Sequence, residues 1–496
     1  MGIPEGFPSS SRSTGRDGGH TASVLVGLLW ALAILAVVVI GVLHTATLEL
    51  RVGKNYADEI QAHYLALAGI EKAKALLYHE ATERRGSRVH HSGKLYDAPE
   101  HFRDVPLGRG GFRVIRQGSR QEGGGLVYGV EDEESRLNIN HAPAEELDKL
   151  PGVTTEEAAA IIDYRDEDNS VTQGGAEAEQ YAMLQPPYLP RNGPFPTLRE
   201  VLMVLGLSRE YFLGYDTNLN GLLDPGEGNG NPAALDAGWS GLVTVASAVR
   251  NVNAAGEGRV NLQEADESTL TSVSGISTEI AQAIIRHRGE NRFESVIDLL
   301  EVRAPGQQQQ QPQPQPQPQS QPQPQSGPQG SNVPPSRTGP RSQSTQTPPS
   351  GQPQPVPTGQ GAPTGPLLVS EDLLIDIADE LTVQSESELP GLVNVNTATE
   401  EVILCLPGVE RELAHAIVSH RASNGYFPNV ASLLRVPGMT RDTLGQLAPR
   451  VTTRSETFRI LSEGRITSTG ARKRIQVTVR LGSYYVDTLA YREDDL

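Results

Sequence analysis

Residues 216–227 read DTNLNGLLDPGE, a run in which oxygen-bearing side chains recur at the spacing that binds a calcium ion. Every ligand position of the twelve-residue EF-hand loop is filled, and Gly221 stands at the sixth position, where that loop turns sharply. The predicted ligands are Asp216, Asn218, Asn220, the backbone carbonyl of Leu222, Asp224 and Glu227. Calcium is a hard cation that takes about six to eight oxygens. The sequence therefore predicts bound calcium here, and the alternative is a polar turn with coincidental spacing.

A second acidic stretch offers another candidate metal site, formed by Asp166, Asp168, Glu177 and Glu179. Carboxylates in such a stretch can bind a divalent cation, take part in acid–base catalysis or remain exposed to solvent. The sequence contains no phosphate-binding loop, no Gly-x-Ser-x-Gly motif and no zinc-spaced Cys/His cluster. We therefore predict no catalytic residues and no enzyme activity. A solvated acidic loop is the alternative to the second metal site.

Three gap-free repeats surround these sites, at residues 136–165, 259–288 and 392–421. In each repeat an Asn precedes a turn Gly by fourteen residues, and an Arg follows that Gly by thirteen. These positions are Asn138, Gly152 and Arg165 in the first repeat, Asn261, Gly275 and Arg288 in the second, and Asn394, Gly408 and Arg421 in the third. The apolar residues between them recur at helical spacing, and Gly permits a tight turn. The pattern predicts repeated helix-hairpin-helix units.

Helix-hairpin-helix units often bind DNA through phosphates, but the charge of these turns argues against it. The residues after the turns include Glu156, Glu157, Glu410 and Glu412, and the chain carries 60 acidic against 42 basic residues, a formal charge of −18. Carboxylates beside a phosphate site repel the ligand. We therefore predict packing modules with no nucleic-acid partner, in which the single cysteine, Cys405, is a small core residue. A membrane-anchored receptor for DNA uptake is the alternative function.

The N-terminal region contains a candidate membrane span. Residues 22–43 are almost wholly apolar, and no residue between Asp17 and Glu49 carries a full charge. A helix of this length extends about 33 Å, enough to cross a bilayer. We predict a single-pass transmembrane helix over residues 20–47, and helical periodicity continues through residues 56–77. The flanking basic residues do not set its orientation.

The predicted strands lie on both sides of the helical repeats. Residues 111–118 and 124–134 read as two strands before the repeats, and residues 458–494 read as three strands after them. Strands that flank a long helical middle predict a sheet closed by distant segments and packed on the 56–77 helix, which is an α+β fold.

A Gln/Pro-rich tract follows the second repeat and, for want of apolar side chains, cannot form a core. The second repeat stops at Ala304 and resumes in residues 367–383. We therefore predict that residues 305–366 interrupt one helical module and do not link two domains. Long surface insertions cost little stability, because closure entropy rises only logarithmically with length.

Several features together resemble one family of secretion proteins. A polar leader ends in Gly19 before the apolar helix, and Val24 takes the fifth mature position, where most pilins carry Glu. Residues 158–208 contain Gly-Ala-Glu at 175–177, Pro-Pro-Tyr at 186–188 and Asn-Gly-Pro-Phe at 192–195. In these residues the chain resembles general secretion pathway protein K, the minor pseudopilin of type II secretion systems that typically lacks the Glu.

The resemblance implies a place and a set of partners. A prepilin peptidase would cleave between Gly19 and His20. The chain would cross the bacterial inner membrane once, with its N-terminus in the cytoplasm and its body in the periplasm. It would sit at the pseudopilus tip with two other minor pseudopilins, commonly called I and J, initiate the fibre and support export across the outer membrane. The secretin and the secreted substrates are further implied contacts.

These expectations divide the sequence into seven segments. They are a leader (1–19), a transmembrane helix (20–47), the pseudopilin helix with the first strands (48–134), a first repeat region with the calcium loop (135–258), an interrupted second repeat (259–383), a third repeat (384–453) and the C-terminal strands (454–496).

Overall fold

The computed structural model describes residues 19–89, 93–119, 122–222, 224, 226–227, 237–305 and 365–494, with side chains described from residue 24 onward. Residues 1–18 of the predicted leader, residues 306–364 of the Gln/Pro tract and Leu223 of the predicted calcium loop lie outside these ranges.

The helices and strands are as follows. The α-helices are α1 Gly19–Ser87, α2 Pro99–Phe102, α3 Ala144–Leu147, α4 Thr155–Arg165, α5 Ala178–Ala182, α6 Arg209–Leu213, α7 Glu267–Ser272, α8 Thr278–Glu290, α9 Glu371–Ile377, α10 Glu400–Cys405, α11 Arg411–Asn424 and α12 Arg441–Leu447. The strands are β1 Val105–Leu107, β2 Gly110–Gln117, β3 Leu126–Val127, β4 Glu131–Asp132, β5 Leu137–Asn138, β6 Val243–Thr244, β7 Ala248–Arg250, β8 Val260–Asn261, β9 Leu381–Thr382, β10 Glu388–Pro390, β11 Val393–Asn394, β12 Val451–Thr452, β13 Thr457–Ile466, β14 Arg472–Leu481 and β15 Val486–Asp494. The 3₁₀ helices are Glu133–Ser135, Leu198–Met203, Gly238–Leu242, Val296–Glu301, Ala378–Glu380, Val430–Arg435 and Ala448–Arg450.

Helix α1 joins the predicted membrane span and the predicted 56–77 helix in one rod of 69 residues. Its apolar side chains are exposed over the first part, as at Trp30 (68%) and Tyr56 (65%), and become buried from Leu65 onward. Within the described residues, α1 is the one helix long and apolar enough to cross a membrane. The chain is therefore anchored by a single N-terminal pass, and the rest of α1 belongs to the folded body.

The C-terminal half of α1 packs on a sheet in which strands from distant parts of the sequence alternate. The strand order is β1-β2-β13-β14-β15, and the neighbouring strands are antiparallel. Gly464 on β13 lets the helix approach closely, since a Cβ there would lie 2.0 Å from the carbonyl oxygen of Ala62. This arrangement, with the helical repeats inserted between β4 and β13, confirms the predicted α+β class.

The strands agree with the sequence pattern at the C-terminus and differ from it before the repeats. Residues 458–494 form β13, β14 and β15, as predicted. Residues 124–134 do not form one strand: β3 and β4 are separated, and a 3₁₀ turn follows β4. The strand pairing is interrupted between β3 and β4 at Gly129, where a Cβ would lie 2.1 Å from the carbonyl oxygen of Tyr96. Close packing against that backbone outweighs the strand propensity of the segment.

Each helix-hairpin-helix repeat begins with a short strand and closes on a parallel partner. The pairs are β5 with β6, β8 with β9, and β11 with β12, and the hairpins between them are α3–α4, α7–α8 and α10–α11. A 3₁₀ helix follows each hairpin, at Leu198–Met203, Val296–Glu301 and Val430–Arg435. The repeats share one continuous apolar core, distinct from the core between α1 and the sheet.

The Arg that recurs in each repeat is a structural residue. Arg288 on α8 donates to the backbone carbonyls of Leu262 (3.1 Å) and Ala265 (2.7 Å), next to the first strand of its repeat. Arg165 and Arg421 donate to backbone carbonyls at the corresponding places in their own repeats. Burial lowers the pKa of both Arg165 and Arg421 to about 10, so each remains charged at neutral pH. The repeated Arg thus ties the hairpin to its strand.

The two ends of the Gln/Pro tract lie side by side. The amide of Ala304 donates to the carbonyl of Pro366 (2.9 Å), and the amide of Leu368 donates to the carbonyl of Val302 (3.0 Å). Beyond the tract, α9 and β9 follow in the same order as α12 and β12 do in the third repeat. The second repeat therefore runs from β8 to β9 on both sides of the tract.

Candidate metal sites and hairpin turns

The predicted calcium loop follows α6 and rests on the sheet face opposite α1. Leu222, which is 3% exposed, packs with Ile115 of β2 and Leu461 of β13 in a small apolar cluster. On β13 the neighbouring residues Ser462 and Gly464 face α1 instead, because side chains alternate across a strand. The loop is thus a place where the helical repeats touch the β1-β2-β13-β14-β15 sheet.

Asp216 begins the loop and is almost fully buried. Its carboxylate accepts from the backbone amides of Asn220 (3.0 Å) and Gly221 (2.8 Å), and Gly221 has the positive φ of 77° that this sharp turn requires. Burial raises the pKa of Asp216, and the nearby charge of Glu227 adds to the rise, while the two amides oppose it. The turn is therefore built around the Asp216 carboxylate.

The side chains of Asn218, Asn220 and Asp224 converge. Both amide groups donate from Nδ2 to Oδ2 of Asp224, at 3.1 Å and 2.7 Å. Oδ1 of Asp224 accepts instead from Nη1 of Arg474 on β14, at 2.5 Å. Burial acts to raise the pKa of Asp224, but the hydrogen bonds from Arg474 and Asn220 outweigh it, so the pKa is lowered. Asp224 is held as a carboxylate.

Glu227, the last predicted ligand, accepts hydrogen bonds from the beginning of the loop. Oε1 accepts from the backbone amide (3.0 Å) and the hydroxyl (2.7 Å) of Thr217, and Oε2 accepts from the amide of Asp224 (3.2 Å). All six residues predicted as calcium ligands therefore lie in one closed turn of the chain.

The second acidic stretch forms a tighter group than the loop does. Ligand atoms of Asp163, Asp166 and Glu177 lie within 4.8 Å of one another. Oδ1 of Asp166 and both carboxylate oxygens of Glu177 are buried and have no hydrogen-bond partner within the described part of the chain. Burial raises the pKa of Asp166 and of Glu177, and the neighbouring carboxylates raise both further.

The membership of this group differs from the sequence prediction. Asp168 and Glu179 are exposed and lie outside it. The carboxylate of Asp168 caps the turn at the amide of Ser170 (2.7 Å). Asp163 was missed, although it precedes Asp166 by one helical turn on α4 and the sequence contains that spacing. Gly175 brings the returning chain close, since a Cβ there would lie 2.1 Å from Oδ2 of Asp163.

The hairpin turns pack against other parts of the helical domain. Gly152, Gly275 and Gly408 have positive φ values of 82°, 101° and 68°. A Cβ at Gly152 would lie 2.8 Å from the Tyr211 ring, so α6 covers this turn, and α9 and α12 cover the other two. Burial raises the pKa of Cys405, beside the third turn, to about 12, which suits a core thiol.

The predicted cleavage site lies in the first turn of α1, which begins at Gly19. The side chains of Gly19 and His20 are outside the described set, so cleavage there stays a prediction.

Comparisons with known proteins match three parts of the chain to two family models. Residues 136–215 match the model described as type II secretion system protein K. Residues 256–310 and 391–452 match the model described as a helix-hairpin-helix motif. The second and third hairpins therefore belong to the motif predicted for them, and the first lies within the protein K match.

Two individual proteins are also similar. ComE operon protein 1 of Bacillus subtilis (strain 168) is 32% identical over 71 residues, which are 14% of this chain and 35% of that protein. A chain of the crystal structure of the GspK-GspI-GspJ complex from the enterotoxigenic Escherichia coli type 2 secretion system superposes with a TM-score of 0.39 at 12% identity, covering 91% of this chain and 99% of the other.

The match to the protein K model covers one segment of the chain, residues 136–215. That match contains α3 to α6, the acidic group and the Pro-Pro-Tyr segment. The N-terminal anchor and the inserted helix-hairpin-helix repeats agree with it. Residues 136–215 are therefore similar to type II secretion system protein K, and the second and third repeats are similar to the helix-hairpin-helix motif.

Proposed function

We propose that this chain is the tip subunit of a pseudopilus, where it assembles with two other minor pseudopilins, initiates the fibre and supports protein export across the outer membrane. The observation that carries the proposal is the protein K match over residues 136–215. In this arrangement the N-terminus is cytoplasmic, a prepilin peptidase cleaves after Gly19, and the sheet and helical repeats lie in the periplasm.

The surface of α1 supports assembly with other helices. Between the membrane span and the sheet, Tyr56, Ile60 and Tyr64 remain 65%, 41% and 66% exposed. Apolar side chains in a row on one rod favour packing against similar rods. The lack of a carboxylate at Val24 fits a terminal subunit, because no neighbouring amino terminus then has to be neutralised above it.

The inserted repeats support the terminal position. They are far larger than the sheet that carries them, and they form a separate apolar core. A body of this size on one subunit would obstruct continuous stacking and is best accommodated at the end of a fibre. From there it could reach the secretin or the secreted substrates.

Co-purification tests the assembly. We would express the full chain with the other minor pseudopilins of the same organism, extract the membranes with detergent and isolate the complex. We expect a stable complex, which Tyr64→Asp weakens and Leu189→Asp, at an exposed site in the helical domain (69%), does not. A chain that stays alone under these conditions and shifts duplex DNA at moderate salt would overturn the proposal in favour of a DNA-uptake receptor.

We also propose that the 216–227 loop binds calcium. Its donor set consists of hard oxygens, which suits calcium better than a transition metal. The Asn218 and Asn220 amides now direct Nδ2 toward Asp224, and half a turn of each amide would present Oδ1 instead. The group of Asp163, Asp166 and Glu177 is the second proposed calcium site, because a cation would satisfy oxygens that have no donor.

Calcium binding is tested by melting the full chain in detergent with millimolar calcium or with a chelator. A ligand that binds only the folded state at about 100 times its Kd adds about 2.7 kcal/mol to the free energy of unfolding, so Tm should rise. Changing Asp216 and Glu227 to Ala should remove the part of the rise due to the loop, whereas Glu210→Ala, just outside it, should not. A wild-type Tm indifferent to the chelator, with no metal found by elemental analysis, would contradict calcium binding.

A further inference from the structure

Three arginines on adjacent strands reach the calcium loop from the sheet. Arg474 on β14 pairs with Asp224 at 2.5 Å. Arg492 on β15 donates to the backbone carbonyl of Leu219 at 2.9 Å. Arg459 on β13 completes the row, and its Nη1 would lie 3.9 Å from a Cβ placed on Gly221. The loop is therefore bonded to the sheet through charge as well as through apolar packing.

Arg474 is held in place by a second carboxylate. Its Nε donates to Oε2 of Glu463 at 2.8 Å, and Oε1 of Glu463 pairs with Nη2 of Arg113 at 2.9 Å. Glu463 lies directly opposite Arg474 on one neighbouring strand and Arg113 on the other. The side chain of Glu463 is 1% exposed. We call Arg474, Glu463 and Arg113 the ion-pair ladder, which crosses β14, β13 and β2.

Asp224 belongs to the loop and to the sheet at the same time. Its Oδ2 accepts hydrogen bonds from the side-chain amides of Asn218 and Asn220, and its Oδ1 accepts one from Arg474. A cation bound in the loop would replace the two amide donors at Oδ2 and would leave Oδ1 free to keep Arg474. Charge-assisted bonds of this kind are stronger and more directional than neutral ones. One carboxylate can therefore connect the cation to the ladder.

We propose that Asp224 and Arg474 couple calcium binding to the sheet, so that calcium in the loop fixes the helical repeats against the pseudopilin body. The coupling rests on the calcium binding proposed above. Arg474 is a positioning residue: it holds a ligand and does not touch the ion. Because coupling between two equilibria is reciprocal, a sheet that holds Asp224 also favours the calcium-bound loop. In a tip subunit, this coupling orients the bulky repeats relative to the fibre.

The test is hydrogen exchange of the full chain in detergent, with calcium or with a chelator, in wild type and in Arg474→Gln. In wild type we expect calcium to slow exchange both in the loop and in the amides of β14 and β15, the latter by about tenfold. In Arg474→Gln the loop should still slow on adding calcium, and titration calorimetry should still show binding. The slowing in β14 and β15 should be lost.

Two further variants separate coupling from general damage to the sheet. Arg113→Gln removes the far end of the ladder and keeps the Asp224 contact, so it should retain the calcium effect on β14 and β15. Arg474→Lys keeps the positive charge, so it should restore part of the calcium-dependent slowing of exchange in β14 and β15. Equal slowing of the two strands in Arg474→Gln and wild type, or no slowing in wild type despite a response in the loop, would overturn the coupling. A loop that shows no calcium response would overturn calcium binding itself and the coupling with it.

Discussion

Two groups of buried carboxylates in this protein are stabilised in opposite ways. The interdomain group, Asp132, Glu133 and Glu134, lies where the sheet meets the repeats, and every residue in it is supplied with donors. Asp132 accepts from the hydroxyls of Thr397 and Ser455, each at 2.5 Å. The second acidic group, Asp163, Asp166 and Glu177, has buried carboxylate oxygens without donors in the described part of the chain.

The charges around the two groups differ as well. Glu133 is paired with Arg459 at 2.6 Å and with Arg136 at 3.4 Å. Burial acts to raise its pKa, but the two arginines outweigh burial and lower it. Asp132 and Glu134 have no arginine partner among the described ion pairs, and burial raises the pKa of each. No such cation is paired with Asp166 or Glu177 among the described ion pairs, and the pKa of each is raised. Both groups contain buried carboxylates, although Asp166 is only half-buried, so it is the hydrogen-bond donors that distinguish a structural carboxylate from a candidate metal ligand.

Removing a charge from the interdomain group should have the largest effect. Glu133→Gln leaves Arg459 and Arg136 buried, with the partly exposed Glu131 as their remaining partner among the described ion pairs. Breaking a buried ion pair from one side costs about 3–5 kcal/mol, so the Tm of the full chain in detergent should fall sharply. Glu131→Gln is the matched control and should cost much less. Equal losses in the two variants would mean that Glu133 has no special role.

Removing charge from the second acidic group should change stability in the opposite direction. In a chelator, Asp166→Asn with Glu177→Gln should raise the free energy of unfolding, because the variant removes carboxylate charges that burial and the neighbouring carboxylates disfavour. The same double variant should also lose the rise in Tm that we propose calcium causes through this site. The exposed pair Asp168→Asn with Glu179→Gln serves as the control and should change neither quantity. Destabilisation of the first double variant in the chelator would show that the group is structural without a metal.

The smallest effect should be the pH dependence of stability that arises from the second acidic group. In the chelator, Asp166 and Glu177 hold protons to higher pH when folded than when unfolded, so the folded state binds more protons. Stability should therefore fall as pH rises from the ordinary carboxyl pKa values of 3.8 and 4.5 toward the raised values of the folded state. The difference in Tm between wild type and the double variant, measured across this range, isolates the effect. Saturating calcium should reverse the trend, because the cation binds the ionised carboxylates.

The repeats and the strands before them show what local sequence patterns predict and what they miss. The Asn, Gly and Arg spacing predicted three hairpins, and in all three the recurring Arg donates to the carbonyl of the residue after the repeat Asn. The prediction of one strand over residues 124–134 was wrong, because contact with the backbone of Tyr96 at Gly129 interrupts the ladder. Periodicity reports which face of an element is apolar, and it does not report which backbone passes close by.

The sequence by itself determined the apolar N-terminal helix and the three hairpins, because the information for each lies within one continuous stretch of chain. The 216–227 loop is equally local, and calcium binding there stays a prediction. The tertiary structure alone decided the composition of the second acidic group. The chain after α4 folds back at Gly175 and brings Glu177 to Asp163 and Asp166, while Asp168 and Glu179 point to solvent. It also decided that Arg474, far along the sequence on β14, holds Asp224. Contacts of this kind depend on strand order and register, which no local spacing encodes.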